Sequence, residues 1–178
     1  VTPPTTTATG CNDRAGNTEV WATSATGYDD FGRVAWQQTP EQHALSPRDP
    51  CVATVVNYDV MGRVITTTRP NPANPTTSVS EHTCYTDGGY VSRRSDAEGN
   101  ITAYDYHQGG LVSEAIDPRG MPQHLDREDV CEADPTDPVI GTVRYDYDGR
   151  GLRTERVAYD NNGDPITETW TYDGAGRE

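Results

Sequence analysis

Residues 58–64 have the sequence YDVMGRV, and its pattern of Tyr-Asp, two variable residues, Gly and Arg returns as YDDFGRV at 28–34 and YDGAGR at 172–177. Asp favours the first position of a type I turn, where its carboxylate caps backbone N–H groups two residues further on. Gly adopts the left-handed conformation that closes such a turn with a bulge. Because this combination commonly joins antiparallel strands, each stretch predicts a β-hairpin.

The spacing of Asp followed three residues later by Gly recurs in phase along the whole chain. Random placement of 18 Asp and 17 Gly over 178 positions would give about two such pairs. The pairs are Asp13–Gly16, Asp29–Gly32, Asp59–Gly62, Asp96–Gly99, Asp117–Gly120, Asp148–Gly151, Asp160–Gly163 and Asp173–Gly176, and two degenerate copies, Thr86–Gly89 and His107–Gly110, keep only the glycine. We therefore expect about ten repeated turns, with Asp117–Gly120 as one of them.

The flanks of the turns have the pattern of strands. Val52, Thr54, Val56 and Tyr58 alternate into the turn at Asp59, and no 3.6-residue stripe longer than two turns is found. Only 33% of the residues are hydrophobic, too few for a thick core, and the regular tyrosine spacing argues against disorder. The sequence predicts an all-β protein of successive antiparallel hairpins that form a curved or spiralling sheet, with minimal helix.

The predicted organisation is one hairpin array with a short leader. Residues 1–10 are a Thr/Pro-rich extended segment, residues 11–178 are the array, and inserted loops lie near 39–50, 69–80 and 126–138. The chain opens with Val1 and holds no 18-residue apolar run, so we expect a processed or excised piece of a longer protein without a membrane span.

Charge and cysteine content restrict the partners and the compartment. A formal net charge of −14 repels phosphate backbones and anionic lipids, so we expect no nucleic-acid or membrane binding. Cys11, Cys51, Cys84 and Cys131 are widely spaced and contain no CxxC pair, which favours disulfides in an oxidising, extracellular compartment. All three pairings stay open, and free buried thiols are the alternative.

The quoted stretches resemble the Tyr-Asp-x-x-Gly-Arg-hydrophobic signature of Rhs/YD repeats. DAEGNITAYDYHQGGLV at 96–112 is similar to the longer form of that repeat, and the resemblance covers about residues 11–178. The chain departs from the signature at Thr86, at His107 and at Leu152, which stands where Arg is usual. The resemblance implies hairpin strips coiled into a hollow shell, which encloses a C-terminal toxin in bacterial Rhs and toxin-complex proteins and forms a cell-surface scaffold in teneurin-like animal proteins.

We expect an extracellular structural or scaffold module, either part of a shell wall or a self-assembling filament. Its partners would be neighbouring repeats of the parent chain or further copies of itself, because unpaired sheet edges are templates for pairing. The alternative is a carbohydrate- or protein-binding adhesion module that uses exposed aromatic residues. Tyr28, Tyr58 and Tyr172 are expected to pack between repeats, whereas Trp36 and Tyr90 are better candidates for binding.

The sequence holds no catalytic motif, so we expect no enzyme. GxSxG, HExxH, GxGxxG and the phosphate-binding GxxxxGK[ST] are absent, and the four isolated histidines are expected at the surface. Those histidines are His43, His82, His107 and His124. A carboxylate pair across a groove, as in glycosidases, is a remote alternative because the turn Asp residues already cap backbone groups.

Two further hypotheses concern the charged residues of the turns. Asp160, Asn162 and Asp164 place oxygen atoms at alternate positions around a glycine, as calcium loops do, although no bidentate Glu follows at the expected offset. Asp146 and Asp148 form a weaker calcium candidate, and no other cofactor is expected. Arg33, Arg63 and Arg177 follow turn glycines and could each pair with the Asp of a neighbouring repeat, in place of full exposure.

Overall fold

The computed structural model describes residues 24–45, 52–74, 77–137 and 139–178. The strands are β1 (Ala25–Tyr28), β2 (Val34–Gln38), β3 (Thr54–Tyr58), β4 (Val64–Pro70), β5 (Ser78–Tyr85), β6 (Val91–Ser95), β7 (Ile101–Tyr106), β8 (Val112–Ile116), β9 (Thr142–Tyr147), β10 (Arg153–Tyr159) and β11 (Pro165–Thr169). They follow one another in sequence order in an eleven-stranded sheet. The predicted all-β fold of consecutive antiparallel hairpins is therefore confirmed.

The predicted bulges lie where the tyrosines enter the turns. Tyr28 pairs with Val34, and the register shifts between Gly27 and Tyr28. The same shift occurs on entering Tyr58, Tyr85 and Tyr106. Each shift accommodates the extra residue of a turn that the left-handed glycine closes.

Helical segments lie only outside the hairpins in the described residues. α1 (Pro40–Leu45) follows β2, α2 (Arg127–Glu132) lies between β8 and β9, and a 3₁₀ turn spans Pro118–Gly120. Two of the three segments predicted as inserted loops thus contain one short helix each. No helix in the described part of the chain is long and apolar enough to cross a membrane.

The chain divides into two compact units, Val1–Glu81 and His82–Glu178, and the division falls within β5. The second unit holds a small core, in which sheet residues meet residues of the segment between β8 and β9. Its buried members are Cys84, Ile101, Ala103, Ile116, Met121, Val130 and Ala133. The other strands have half-buried or exposed faces, as expected for a chain with few apolar residues.

Consecutive antiparallel strands place their connections alternately on two opposite sides of the sheet, at the two ends of the strands. We call these two sides edges, as distinct from the edge strands of the sheet. The tyrosine edge is the side that carries the turns preceded by a tyrosine. In the first unit these turns follow Tyr28 and Tyr58, and in the second unit they follow Tyr85, Tyr106, Tyr147 and Tyr172. The connections at the opposite edge are 39–53 and 71–77 in the first unit, and 96–100, 117–141 and 160–164 in the second. All three segments predicted as insertions therefore belong to the opposite edge.

The copy at Asp117–Gly120 differs from the predicted repeat turn. Gly120 is buried and does not have a positive φ, and the chain leaves the hairpin there to return at Gly141. The N–H of Asp117 donates to the Gly141 carbonyl at 2.9 Å, the bond that the fifth residue accepts in the other turns. A Cβ on Gly120 would lie 2.2 Å from the Ile140 oxygen, so this position needs glycine for close approach of the returning chain. We call residues 121–140 the excursion.

Candidate functional site at the tyrosine edge

The repeated turns share one hydrogen-bond pattern, which the turn at Asp59 illustrates. The Asp59 N–H donates to the Arg63 carbonyl at 2.9 Å, and the Gly62 N–H donates to the Asp59 carbonyl at 3.0 Å. Asp59 Oδ1 accepts from the N–H groups of Met61 and Arg63, both at 2.9 Å. Gly62 has a φ of 82°. The turns headed by Asp29, Asp96, Asp148, Asp160 and Asp173 repeat this pattern.

The capping bonds keep the head carboxylates ionised. Backbone hydrogen bonds from Leu152 and Arg150 lower the pKa of Asp148, and those from Arg177 and other turn residues lower the pKa of Asp173. At Asp59 desolvation raises the pKa, but the hydrogen bonds from Arg63 outweigh it and the net shift is downward. The lowered pKa values follow from hydrogen bonds that favour the charged carboxylate.

The two degenerate turns keep the backbone geometry without the head carboxylate. In the first, the N–H of Thr86 donates to the Tyr90 carbonyl at 2.8 Å, and Gly89 has a φ of 86°. In the second, the N–H of His107 donates to the Leu111 carbonyl at 2.8 Å. The left-handed glycine is therefore common to all these turns, and the Asp is an added cap.

At three turns of the tyrosine edge, the hydroxyl of the tyrosine that precedes the turn joins neighbouring hairpins. Tyr106 Oη donates to the Val91 carbonyl at 2.7 Å. Tyr58 donates to Val34 at 2.9 Å, and Tyr172 donates to Arg153 at 2.8 Å. Each acceptor is the first strand residue after the preceding turn at that edge. The hydroxyl thus ties each hairpin to the one before it.

A second contact comes from the residue directly after each turn glycine. In three turns its side chain lies beside the glycine of the following turn, where an added Cβ would be 3.5 Å from Arg33 Nη1, 3.6 Å from Leu111 Cδ1 or 3.5 Å from Leu152 Cδ1. Tyr90 lies closer still, because a Cβ on Gly110 would be 2.2 Å from its hydroxyl oxygen. We call the tyrosine bond and this side-chain contact together the joint.

The sequence suggested that these arginines pair with the Asp carboxylate of a neighbouring repeat, but Arg33 and Arg177 bind the Asp carboxylate of their own turn. Arg33 Nε binds Asp29 of its own turn at 2.6 Å, and its guanidinium lies 4.4 Å from the centre of the Tyr58 ring. Arg63 and Arg177 also bind the Asp of their own turns. The next turn is reached through its backbone, since Arg150 Nη1 donates to the Asp173 carbonyl at 3.0 Å.

The two aromatic residues predicted as ligand-binding candidates are packed over glycines. The Trp36 indole lies across Gly27, where an added Cβ would be 2.1 Å from Nε1. Tyr90 covers Gly110 and stacks on Tyr106, with ring centres 5.0 Å apart. These packing roles use at least one face of each ring.

A disulfide fixes the excursion to the sheet. Cys84 on β5 and Cys131 on α2 are bonded, with Cα atoms 5.4 Å apart. Arg93 Nε adds a bond to the Ala133 carbonyl at 3.1 Å, beyond the end of α2. The other candidates, Cys11 and Cys51, lie outside the described residues, as do Asp13, Gly16 and the 1–10 segment.

The calcium candidate has the geometry of a capped turn. Asp160 Oδ1 accepts from the backbone N–H groups of Asn162 and Asp164 at 2.8 and 2.9 Å, and Oδ2 accepts from the Asn162 amide at 3.3 Å. In the described ranges no group of three or more His, Cys, Asp or Glu side chains could hold a metal ion. The two residues of the weaker calcium candidate have separate partners. Asp148 caps its own turn, and Asp146 lies 3.8 Å from His107 Nε2.

The four histidines lie on separate segments of the described chain. Burial lowers the pKa of His82 on β5. His43 Nδ1 is 3.2 Å from Gln38 Oε1, and His107 Nε2 is 2.9 Å from the Tyr145 carbonyl. His124, the one non-glycine residue with a positive φ in the described ranges, donates its N–H to the Gly99 carbonyl at 3.0 Å.

Sequence reasoning expected Tyr58 and Tyr172 to pack between repeats, but it missed the contact made by the residue after each turn glycine and one group of exposed side chains. Phe31, Val60 and Met61 occupy the two variable positions of adjacent turns and are 84%, 101% and 76% exposed. The same positions in the second unit hold small or polar residues, such as Gly149 and Arg150. This difference between the turns could have been noticed in the sequence, because the backbone geometry of the turn does not require apolar side chains at these positions.

The fold and the joints together define the class as an all-β protein of hairpin repeats. No family model and no curated protein matches the chain. The chain is similar to crystal structures of TcdB2-TccC3: one without the hypervariable C-terminal region (16% identity, TM-score 0.49), one named TcdB2-TccC3-TEV (18%, 0.47) and one named TcdB2-TccC3-Cdc42 (18%, 0.48). Each match covers 86% of this chain and 9% of the other.

Proposed function

We propose that the chain is an extracellular structural module, a stretch of wall built from hairpin repeats. The observation that supports this function is the joint, which recurs from hairpin to hairpin within each unit. It uses the tyrosine hydroxyls and the residues after the turn glycines, the side chains that a binding or catalytic site at this edge would otherwise offer. A protein whose repeated turn residues contact its own neighbouring hairpins is best explained as a scaffold.

The disulfide supports the proposed extracellular location, and the outer strand β11 supports the proposed partners. A bond between Cys84 and Cys131 persists in oxidising surroundings, which favours an extracellular location. All five residues of β11 are exposed, and a strand of this kind is a template for pairing with a further repeat of the parent chain or with another copy. We propose no enzymatic activity for this module.

A matched pair of insertions tests the structural role of the joint. Gly-Ser-Gly inserted after Gly149 lengthens the turn before β10, at the tyrosine edge. The same insertion after Asn161 lengthens the turn after β10, at the opposite edge. Both insertions disturb a capped turn. Only the first also displaces Leu152 from Gly176 and Arg150 from the Asp173 carbonyl.

We expect the first insertion to lower the free energy of unfolding by about 1–2 kcal/mol more than the second, the value of the lost hydrogen bond and contact. Urea unfolding followed by circular dichroism measures both variants. Equal losses would show that the joint adds nothing to the array and would remove the main support for a wall.

The exposed apolar side chains of the first unit favour a second candidate, a protein-binding adhesion surface. Phe31, Val60 and Met61 project from these turns with most of their side-chain surface exposed, although the Arg33 guanidinium lies 5.1 Å from the centre of the Phe31 ring. A variant with all three changed to Ser should keep its stability and lose binding to a partner protein, whereas Ile140→Ser, at an exposed position outside these turns and outside β11, is the control. A glycan-array signal lost in Trp36→Ala with unchanged stability would instead favour a carbohydrate-binding module.

A further inference from the structure

The turn headed by Thr86 differs chemically from the turns headed by Asp because one of its backbone N–H groups lacks a cap. In the capped turns, the residue two positions after the head donates its N–H to the head carboxylate, as Met61 and Arg150 do at 2.9 Å. In the Thr86 turn this residue is Gly88, and Thr86 Oγ1 accepts only from Tyr90 N–H, at 3.2 Å. Among the described residues nothing accepts a hydrogen bond from the Gly88 N–H.

The residue before Gly88 is Asp87, so an uncapped amide follows an aspartate directly. Both residues are exposed, and no hydrogen bond or ion pair within the described part of the chain holds the Asp87 carboxylate. An Asp-Gly pair permits attack of the following backbone nitrogen on the side-chain carboxyl, because glycine has no Cβ to hinder the approach. Here neither reacting group is restrained.

We propose that Asp87 is a site of spontaneous isoaspartate formation in the folded protein, and that the other Asp-Gly pairs of the chain are protected. The Gly88 nitrogen forms a bond to Cγ of the protonated Asp87 carboxyl, the bond from Cγ to the carboxyl hydroxyl breaks, and this hydroxyl leaves with the amide proton as water. The cyclic succinimide then takes up water at either carbonyl and returns Asp or gives isoaspartate. No oxidant, metal or enzyme is needed, and no electrons are transferred.

The protected pairs, Asp148-Gly149 and Asp173-Gly174, have turn heads as their aspartates. Asp148 Oδ1 accepts from Arg150 N–H and Leu152 N–H, both at 2.9 Å, and Oδ2 accepts from Arg150 Nε at 3.0 Å. Asp173 makes the equivalent three bonds. Rotation of either carboxyl towards its glycine nitrogen must break these bonds, whereas Asp87 rotates freely.

Isoaspartate at this position would disturb the joint that the turn supports. The main chain would then run through the Asp87 side chain and gain one carbon within the turn. Tyr90 follows in the same turn and stacks on Tyr106 while it covers Gly110. We therefore expect the modified chain to lose part of the contact between these two hairpins.

Peptide mapping of aged full-length protein tests the inference. Samples are held at neutral pH and body temperature for weeks, then digested and scored for isoaspartate at each of the three Asp-Gly pairs. We expect conversion at Asp87 to be at least about tenfold faster than at Asp148 or Asp173, because opening of each head costs several hydrogen bonds. In urea the three sites should react at similar rates, since they share the same dipeptide.

The decisive variant is Thr86→Asp, which restores the head carboxylate of the repeat. It should cap the Gly88 N–H and slow conversion at Asp87 by about tenfold, while the other two sites stay unchanged. Gly88→Ala should also slow the reaction by hindering attack. Equal rates at the three sites in the folded protein, or no effect of Thr86→Asp, would overturn the inference and leave the dipeptide sequence as the sole determinant.

Discussion

Removal of the Cys84–Cys131 disulfide is the perturbation with the largest expected effect on the second unit. The bond closes a loop with a sequence separation of 47 residues. The loss of chain entropy in the unfolded state for a loop of this length corresponds to about 4 kcal/mol at room temperature. Single domains are stable by only about 5–15 kcal/mol, so this one bond accounts for a large share of the stability of the unit.

Removal of the disulfide should also affect the native state, because the excursion then loses its covalent link to the sheet. Val130 and Ala133 fill the core from the excursion side, and apart from the disulfide they are held mainly by single hydrogen bonds such as Arg93 to the Ala133 carbonyl. Without the cross-link, the excursion can open at a cost set only by the burial of a few side chains. Local opening should therefore accompany the global loss of stability.

The variant Cys84→Ala/Cys131→Ala is preferable to a reducing agent because it leaves Cys11 and Cys51 untouched. Urea unfolding should show a free energy lower by about 4 kcal/mol. Hydrogen exchange followed by mass spectrometry should show lost protection in residues 121–137, and peptides from residues 24–45 serve as the internal control. A loss below about 1 kcal/mol, or equal loss of protection in both units, would refute the reasoning that the cross-link pins the excursion to the sheet.

Three further predictions follow from the turns and the joints. The pKa values of the turn-head aspartates are lowered in the folded state, so the stability that they contribute is complete above the ordinary Asp pKa of about 3.9 and is lost as the pH falls below it. Acid unfolding followed by circular dichroism should show this loss, and Asp148→Asn should make stability depend less on pH. Tyr106→Phe should cost about 1 kcal/mol through the lost bond to Val91, whereas Tyr104→Phe should be neutral in the same urea assay. Gly120→Ala should cost about 2 kcal/mol or more because its Cβ meets the Ile140 oxygen, while Gly149→Ala, with open space around it, should be neutral in thermal unfolding.

The fold was predictable because its determinants are local. The Asp59–Gly62 spacing specifies a turn on its own, and alternation of side chains into that turn specifies the strands, so no long-range information was needed. The short helices α1 and α2 were not predicted, since six residues are too few for a periodic pattern.

The copy at Asp117 shows where local reasoning fails. Its four residues match the other turns, including a proline suited to the second position, yet the chain leaves the hairpin after Gly120. The difference arises because the excursion residues return across Gly120 and bury apolar side chains against β7 and β8. Such burial depends on partners far along the chain, which a four-residue pattern does not contain. The choice of Cys84 for Cys131 among the open pairings has the same origin.

The joint also explains why connections of different length occupy different edges. At the tyrosine edge, the residue after each turn glycine must reach the next turn, and the next tyrosine must reach the strand residue beyond it. One added residue would break both contacts, so in each unit these turns keep one length. At the opposite edge the contacts differ from one turn to the next, with His124 beside Gly99 and Val139 beside Gly163, and this edge accommodates the compact Asp96–Asn100 turn and the excursion beyond Gly120 alike. Variation without loss of the array is therefore confined to the opposite edge, where inserted segments can cover a face of the sheet, as α2 does.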